Sequence, residues 1–214
     1  MNRRSAVKTI FLGTTGFLIT SLNSFSEYSL NEVTLEELIL PTFSELKSYN
    51  DFNNLALIIA GEEQKLYFLT EKEQKIQLIK TYPISTGKYG FGNKPNSGRT
   101  PLGIHKIIKK YGDNAPEGTI FSHLSNTGRI APINKDSSNT GYSLITSRIL
   151  RLQGCEEQNC NTEARHIYIH GISNEGKIGF PVSSGCIRMK NSDIIELYSL
   201  IPVGTYINIK EKIR

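Results

Sequence analysis

From Leu55 onward, apolar and polar positions follow one another in short runs broken by turns, and that rhythm predicts strands. Leu55–Ala60 (LALIIA) is a short apolar run. Gly61 to Lys65 makes a turn, and Leu66–Thr70 and Lys75–Ile84 follow on either side of a charged turn. Ile104–Lys109, Tyr142–Leu152, His166–His170 and Tyr206–Ile209 read as further strands. One segment breaks the pattern. In Asn191–Leu200, Ile194, Leu197 and Tyr198 share a helical face, Asn191 or Ser192 can cap it, Asp193 sits in its first turn, and Pro202 ends it. Ahead of Leu55, Thr34-Leu35-Glu36-Glu37 reads as a capping box opening a short helix that Pro41 stops, with a second short helix over Phe43–Tyr49. Ser85–Gly103, with Gly87, Gly90, Gly92, Pro95, Gly98 and Pro101, reads as a long loop of the kind that builds sites. Gly118–Gly128 reads as another. The predicted fold is mainly β, a sandwich or flattened barrel with one late helix packed on it.

Composition narrows the class. The chain has 214 residues, enough for one domain plus a leader, with 38% hydrophobic and 21% charged residues. Its formal charge is +5, but Arg3, Arg4 and Lys8 fall in the first 26 positions, which hold no acidic residue. The remainder carries 22 basic and 20 acidic residues, a balance of +2. So even a body argues against nucleic-acid binding, which needs a concentrated basic face. Residues 1–25 read as an export signal: a charged start, then an apolar core over Thr9–Leu22 that is too short to span a bilayer. Asn2-Arg3-Arg4-Ser5 resembles a twin-arginine signal; a general secretory signal is the other reading, and a retained membrane anchor is a third. Residues 26–54 read as a spacer packed on a domain that spans 55–210.

Export places the cysteines in an oxidising compartment. Cys155 and Cys160 lie five apart in one loop and are expected to pair as a disulfide, which leaves Cys186 as the free thiol. Cys186 follows Gly185 in the small-residue turn Ser183-Ser184-Gly185-Cys186, just before the capped helix. Such a turn exposes a thiol, and the amides of Gly185 and Cys186 can cradle an oxyanion. Sixteen positions upstream a strand delivers His170. Imidazole is the usual partner that lowers a thiol's pKa and makes it a nucleophile, but it needs a third group to fix its tautomer. On spacing alone, a buried structural cysteine and a hydrogen-bonded strand-end histidine remain equally open. A metal site is disfavoured: Cys155 and Cys160 lack a second ligand pair, and His166 and His170, four apart on a strand, stand about 13 Å from each other. His105, His123 and His166 read as packing or surface residues, with His123 in a substrate-side loop.

His170-Gly171, a short loop, then Ser183-Ser184-Gly185-Cys186-Ile187-Arg188-Met189 resembles the signature of the L,D-transpeptidase catalytic domain family of the YkuD type. Tyr82-Pro83-Ile84-Ser85-Thr86-Gly87, Arg99-Thr100-Pro101-Leu102-Gly103 and Asn191–Ile209 extend the likeness over about residues 55–209. The resemblance implies an enzyme acting on peptidoglycan stem peptides. Cys186 would be the nucleophile, His170 the acid/base, and the Gly171 carbonyl the group that orients the imidazole. The amides of Gly185 and Cys186 would form the oxyanion hole, beside the turn residues Ser183 and Ser184. Arg188 would bind a substrate carboxylate or brace the turn. The thiol would displace D-Ala from a tetrapeptide stem, form a thioester and pass the acyl group to an amine; hydrolysis, wall-protein attachment or release, and non-catalytic wall binding are the alternatives. Many members carry His where this chain has Ser184. No metal or organic cofactor is implied, the membrane is a partner only if the leader is retained, and the oligomeric state is not legible.

Overall fold

The computed structural model describes residues 35–138 and 143–213. The export signal and Thr34 of the expected capping box lie outside the described residues. Within them the order is α1 (Leu35–Lys47), β1 (Leu55–Ala60), β2 (Lys65–Lys72), β3 (Lys75–Ser85), β4 (Gly103–Tyr111), β5 (Thr119–Ser122), β6 (Ser125–Ile130), β7 (Ile145–Gly154), β8 (Tyr168–Ile172), β9 (Ile187–Met189), α2 (Asn191–Leu200) and β10 (Tyr206–Lys210). The strands run β4-β10-β1-β2-β3-β9-β8-β7 side by side, and β7 pairs again with β4, so eight of them close into the expected barrel. Closure removes the open edges that a flat sheet would leave. The β5–β6 hairpin hangs from β7 through the single pair Ile120↔Thr146.

Alternation sorts each strand's side chains. Leu57 and Ile59 of β1 enter the barrel core with Leu66, Phe68, Tyr82, Ile84, Ile107, Leu150, Leu152, Ile169, Ile187 and Met189. Ala56, Ile58 and Ala60 face the other way, under Ile39, Phe43 and Leu46 of α1. β1 is therefore buried on both faces, which is why it reads as an unbroken apolar run. Helix α2 seals the barrel core with Ile194, Leu197 and Tyr198.

Several expectations change. α1 is one helix with Pro41 inside it, not two helices parted at Pro41. An interior proline costs about 3 kcal/mol. Burying Ile39, Phe43 and Leu46 returns about 1.5–3 kcal/mol each, so tertiary packing wins, and Pro41 itself stays on the exposed side. Gly118–Gly128 is not a loop but the β5–β6 hairpin. Its two-residue turn places His123 (φ 48°) and Leu124 (φ 66°) in the left-handed region without the Asn-Gly pair that usually announces such a turn. β8 begins at Tyr168, so His166 (φ 56°) sits in the preceding turn rather than on the strand. The N-cap of α2 is Lys190, and neither Asn191 nor Ser192 caps it with a side chain.

The expected Cys155–Cys160 disulfide is not formed; all three cysteines are free thiols. A single 3-10 turn, Glu157–Asn159, separates the two residues. Cys155 packs into the apolar cluster under α1, whereas Cys160 is exposed. The buried Asn159 does the stapling instead: its Nδ2 donates to the carbonyls of Leu102 and Ile104, each at 3.0 Å, and its Oδ1 accepts from the Glu156 amide at 2.9 Å. Burial pushes the Cys155 thiol up to about 11, which makes it a poor nucleophile.

Candidate active site

Ile167, just before β8, and Tyr168-Ile169-His170 on it alternate between the barrel core and its outer surface. Ile169 faces in, and Tyr168 packs outside with Ile149, Phe121 and Cys186. β9 lies parallel beside it in the register Ile169↔Ile187, His170↔Arg188 and Gly171↔Met189. His170 and Arg188 are therefore abreast on the outer surface. Cys186, two residues before Arg188, is a diagonal step from His170, about 8 Å between α-carbons by strand spacing. The sixteen-residue gap in sequence closes because the chain leaves β8, runs through the turn Glu175–Lys177 and returns along the same edge.

The turn carrying Cys186 is held by the segments flagged from sequence on either side of the long loop. The Ser183 amide donates to Thr86 O at 2.9 Å, and the Lys88 amide donates back to Ser183 O at 2.9 Å. Thr100, fully buried, donates its hydroxyl to Gly185 O at 2.9 Å and accepts from the Gly87 amide at 2.8 Å. Ser183 Oγ donates to Cys186 O at 2.6 Å and accepts from the Gly185 amide at 3.1 Å. Gly185 has φ 117°, and a Cβ there would come within 2.9 Å of Arg99 O, so only glycine fits. Ser183 is thus a turn staple. The Gly185 amide, expected as an oxyanion donor, is engaged by that staple. Ser184 is exposed and lines a hollow of about 300 Å³ with Asn96, Gly98, Arg165 and Ile167.

His170 Nδ1 lies 2.7 Å from the Gly171 carbonyl. A carbonyl only accepts, so Nδ1 carries the proton and Nε2 keeps its lone pair. Burial pushes the imidazole down to about 4, against the pull of the Gly171 carbonyl and with the help of the neighbouring Arg188 charge. The expected lowered thiol does not appear. Burial pushes Cys186 up, opposed by the Tyr168 amide, Arg188 and Arg165. Its Sγ lies 3.4 Å from the His166 carbonyl, and a thiol there donates. Burial thus biases both groups toward their neutral forms, the thiol protonated and the imidazole uncharged, rather than toward an ion pair.

Two guanidinium groups flank the thiol and differ in kind. Arg165 spans the long loop, donating from Nη1 to Gly92 O at 3.1 Å and from Nη2 to Arg99 O at 2.6 Å. It braces that loop, and sequence reasoning missed it because nothing in Glu163-Ala164-Arg165-His166 signals a contact some seventy residues away. The Arg188 side chain makes no hydrogen bond or ion pair among the described residues, although burial presses its pKa down. A half-buried cation without a protein partner leaves its donors open to an anion.

Cys186, the oriented imidazole of His170 and Arg188 thus share one outer face of an eight-stranded barrel. Residues 55–209 match the L,D-transpeptidase catalytic domain family, YkuD, and the chain belongs to that family. YkuD of Bacillus licheniformis is 28% identical over 156 residues, covering 72% of this chain and 64% of that protein. YkuD of Bacillus subtilis is 53% identical over a segment of 45 residues, 21% of this chain and 27% of that protein. Among solved structures, Bd1075 of Bdellovibrio bacteriovorus shares the fold with a TM-score of 0.51 at 17% identity, covering 77% of this chain and 50% of that chain. The chain thus spans under two thirds of the length of these relatives.

Proposed function

We propose that this protein is a peptidoglycan L,D-transpeptidase working through a cysteine acyl-enzyme outside the cytoplasm. Cys186 gives its proton to His170 Nε2 as the sulfur attacks the carbonyl at the L-centre of a tetrapeptide stem. The carbonyl oxygen takes the negative charge, met by the Cys186 amide now that the Gly185 amide is engaged in the turn. The C–N bond breaks, His170 returns the proton to the departing D-Ala amine, and a thioester remains. An acceptor amine then attacks, His170 takes its proton and passes it to the leaving sulfur. Thiolate forms only as substrate enters, because burial keeps the resting thiol protonated. Arg188 holds the free carboxylate of the terminal residue, and its charge favours thiolate at the same time.

The observation that carries this reading is the Nδ1–Gly171 bond, which leaves Nε2 bare on the same surface as the thiol. Among the described residues no helix is long and apolar enough to cross a membrane. Residues 1–25 are the segment we assign to export. The test is to mix the purified protein with muropeptides bearing tetrapeptide stems and follow products by mass. Cross-linked dimers are expected. Tripeptides alone would make it a carboxypeptidase, and unchanged substrate would leave only wall binding.

A further inference from the structure

Asn191 entered as a helix cap and turns out to be something else. It is fully buried, and every polar atom of its side chain is used. Oδ1 accepts from Thr146 Oγ1 at 2.7 Å and from Ser147 Oγ at 2.5 Å. Nδ2 donates to the Ile172 carbonyl at 2.9 Å and to Glu175 Oε1 at 2.7 Å. Its backbone amide donates to the same Oε1 at 2.6 Å, so the buried Glu175 carboxylate, not a local side chain, satisfies the start of α2.

These bonds converge on the peptide that orients His170. A Cβ on Gly171 would stand 2.8 Å from Asn191 Oδ1 and 2.6 Å from Thr146 O, so the amide oxygen rests against the Gly171 α-carbon. The next carbonyl, of Ile172, is bonded to Nδ2. Between these two contacts lies the Gly171 carbonyl that accepts from His170 Nδ1. The partner strand is bent to serve the same group. The β7–β8 register slips between Thr146 and Ile149, and Ser147 takes φ 64°, which turns its hydroxyl onto Asn191. A fully satisfied buried network of this kind fixes one backbone arrangement.

We propose that Asn191 is a positioning residue: with Glu175, Thr146 and Ser147 it clamps the Gly171–Ile172 backbone and so sets the tautomer of His170. The functional consequence rests on the transpeptidase reading; the effect on the tautomer does not. The test uses the purified chain with 15N-labelled histidine. Long-range 1H–15N spectra at neutral pH should give His170 as a single Nδ1-protonated tautomer. Asn191→Ala should give a mixture of tautomers and lower kcat on tetrapeptide muropeptides on the order of a hundredfold, with KM little changed. Ile58→Ala, in the cluster under α1, serves as the control for lost stability and should alter neither readout. In Asn191→Asp the Nδ2 donor is lost; adding Glu175→Gln restores one side-chain bond with donor and acceptor exchanged, and should recover part of the turnover. This pair carries the same readouts if Asn191→Ala does not melt cooperatively. A single unchanged His170 tautomer in the Asn191 variants, with turnover no lower than in Ile58→Ala, would overturn the proposal. Scrambled tautomers in a chain whose parent converts no muropeptide would uphold the clamp and remove the transpeptidase reading instead.

Discussion

The barrel has two covered outer faces, and they are built from opposite materials. Under α1, Ile39, Phe43 and Leu46 lie on Ala56, Ile58, Ala60, Tyr67 and Leu69, a mainly apolar contact in which the buried Asn208 donates to Glu45 Oε2 at 2.7 Å. Around β8 and β9 the buried groups include His170, Ser183, Asn191, Glu175 and Thr146, with Cys186 and Arg188 half-buried. The first face gains free energy from each apolar side chain it removes from water. The second spends it, since each buried polar group must find a partner and Arg188 has none among the described residues. The difference teaches where selection for stability stops and selection for chemistry begins: the first face tolerates any well-packed apolar set, whereas the second tolerates only particular atoms.

Substitution on the two faces should therefore separate turnover from stability. Cys186→Ala should abolish transpeptidation while the protein still melts cooperatively, measured by muropeptide mass analysis beside a thermal scan. Persistent turnover would break the comparison at its centre. His170→Gln should cost on the order of 10²–10⁴ in kcat, again with the melt retained. Phe43→Ala, on the apolar face, should do the reverse: about 3–5 kcal/mol of stability lost in denaturant titrations, with kcat unmoved at temperatures where the fold survives. The two arginines sharpen the contrast within the second face. Arg188→Gln should lower kcat/KM roughly ten- to hundredfold on stems with a free terminal carboxylate, and much less on stems amidated there. Arg165→Gln should lower the melting midpoint and affect both substrates alike, because it braces the loop rather than meeting substrate.

The smallest effect is a slope. His105 and His170 are both pushed down by burial to about 4 from an ordinary value of 6.5. Above pH 6.5 neither the folded nor the unfolded chain protonates these rings. Between 6.5 and 4 only the unfolded chain does, so stability falls as pH drops through that window, by about 1.4 kcal/mol per unit for each ring. His105, wedged between Gly103 O at 2.9 Å and Thr162 Oγ1 at 3.1 Å, lies outside the site. His105→Gln should reduce the acid slope in pH-dependent denaturant titrations and leave turnover at neutral pH alone. An unchanged slope would mean that other groups set the acid limit.

Much of the fold was legible because strand alternation is local. Leu55–Ala60 and Asn191–Leu200 match their observed bounds. What was missed has a physical cause in each instance. β9 is three residues long and carries no periodicity of its own. The β5–β6 hairpin turns through His123 and Leu124 with no glycine or Asn-Gly pair to announce it, and Leu rarely accepts left-handed backbone. Pro41 reads as a stop from its local chemistry, and only the sheet beneath α1 overrides it. The thiol, its imidazole and the bracing segments at Thr86 and Thr100 stood out in the sequence. The roles of Arg165 and Asn191 did not, since their partners lie tens of residues away.

By itself the sequence determined the alternation that makes a barrel and the one late helix, because these depend on neighbouring residue types; it was the family resemblance that put Cys186 and His170 forward together. Only the tertiary structure decided that burial biases the thiol toward its protonated form, that Nδ1 rather than Nε2 meets the Gly171 carbonyl, that Asn159 rather than a disulfide ties down the Cys155 loop, and which arginine side chain is left without a partner among the described residues. Protonation state and hydrogen-bond partnership are set by burial and by atoms brought in from distant parts of the chain, and those distances exist only once the barrel has closed.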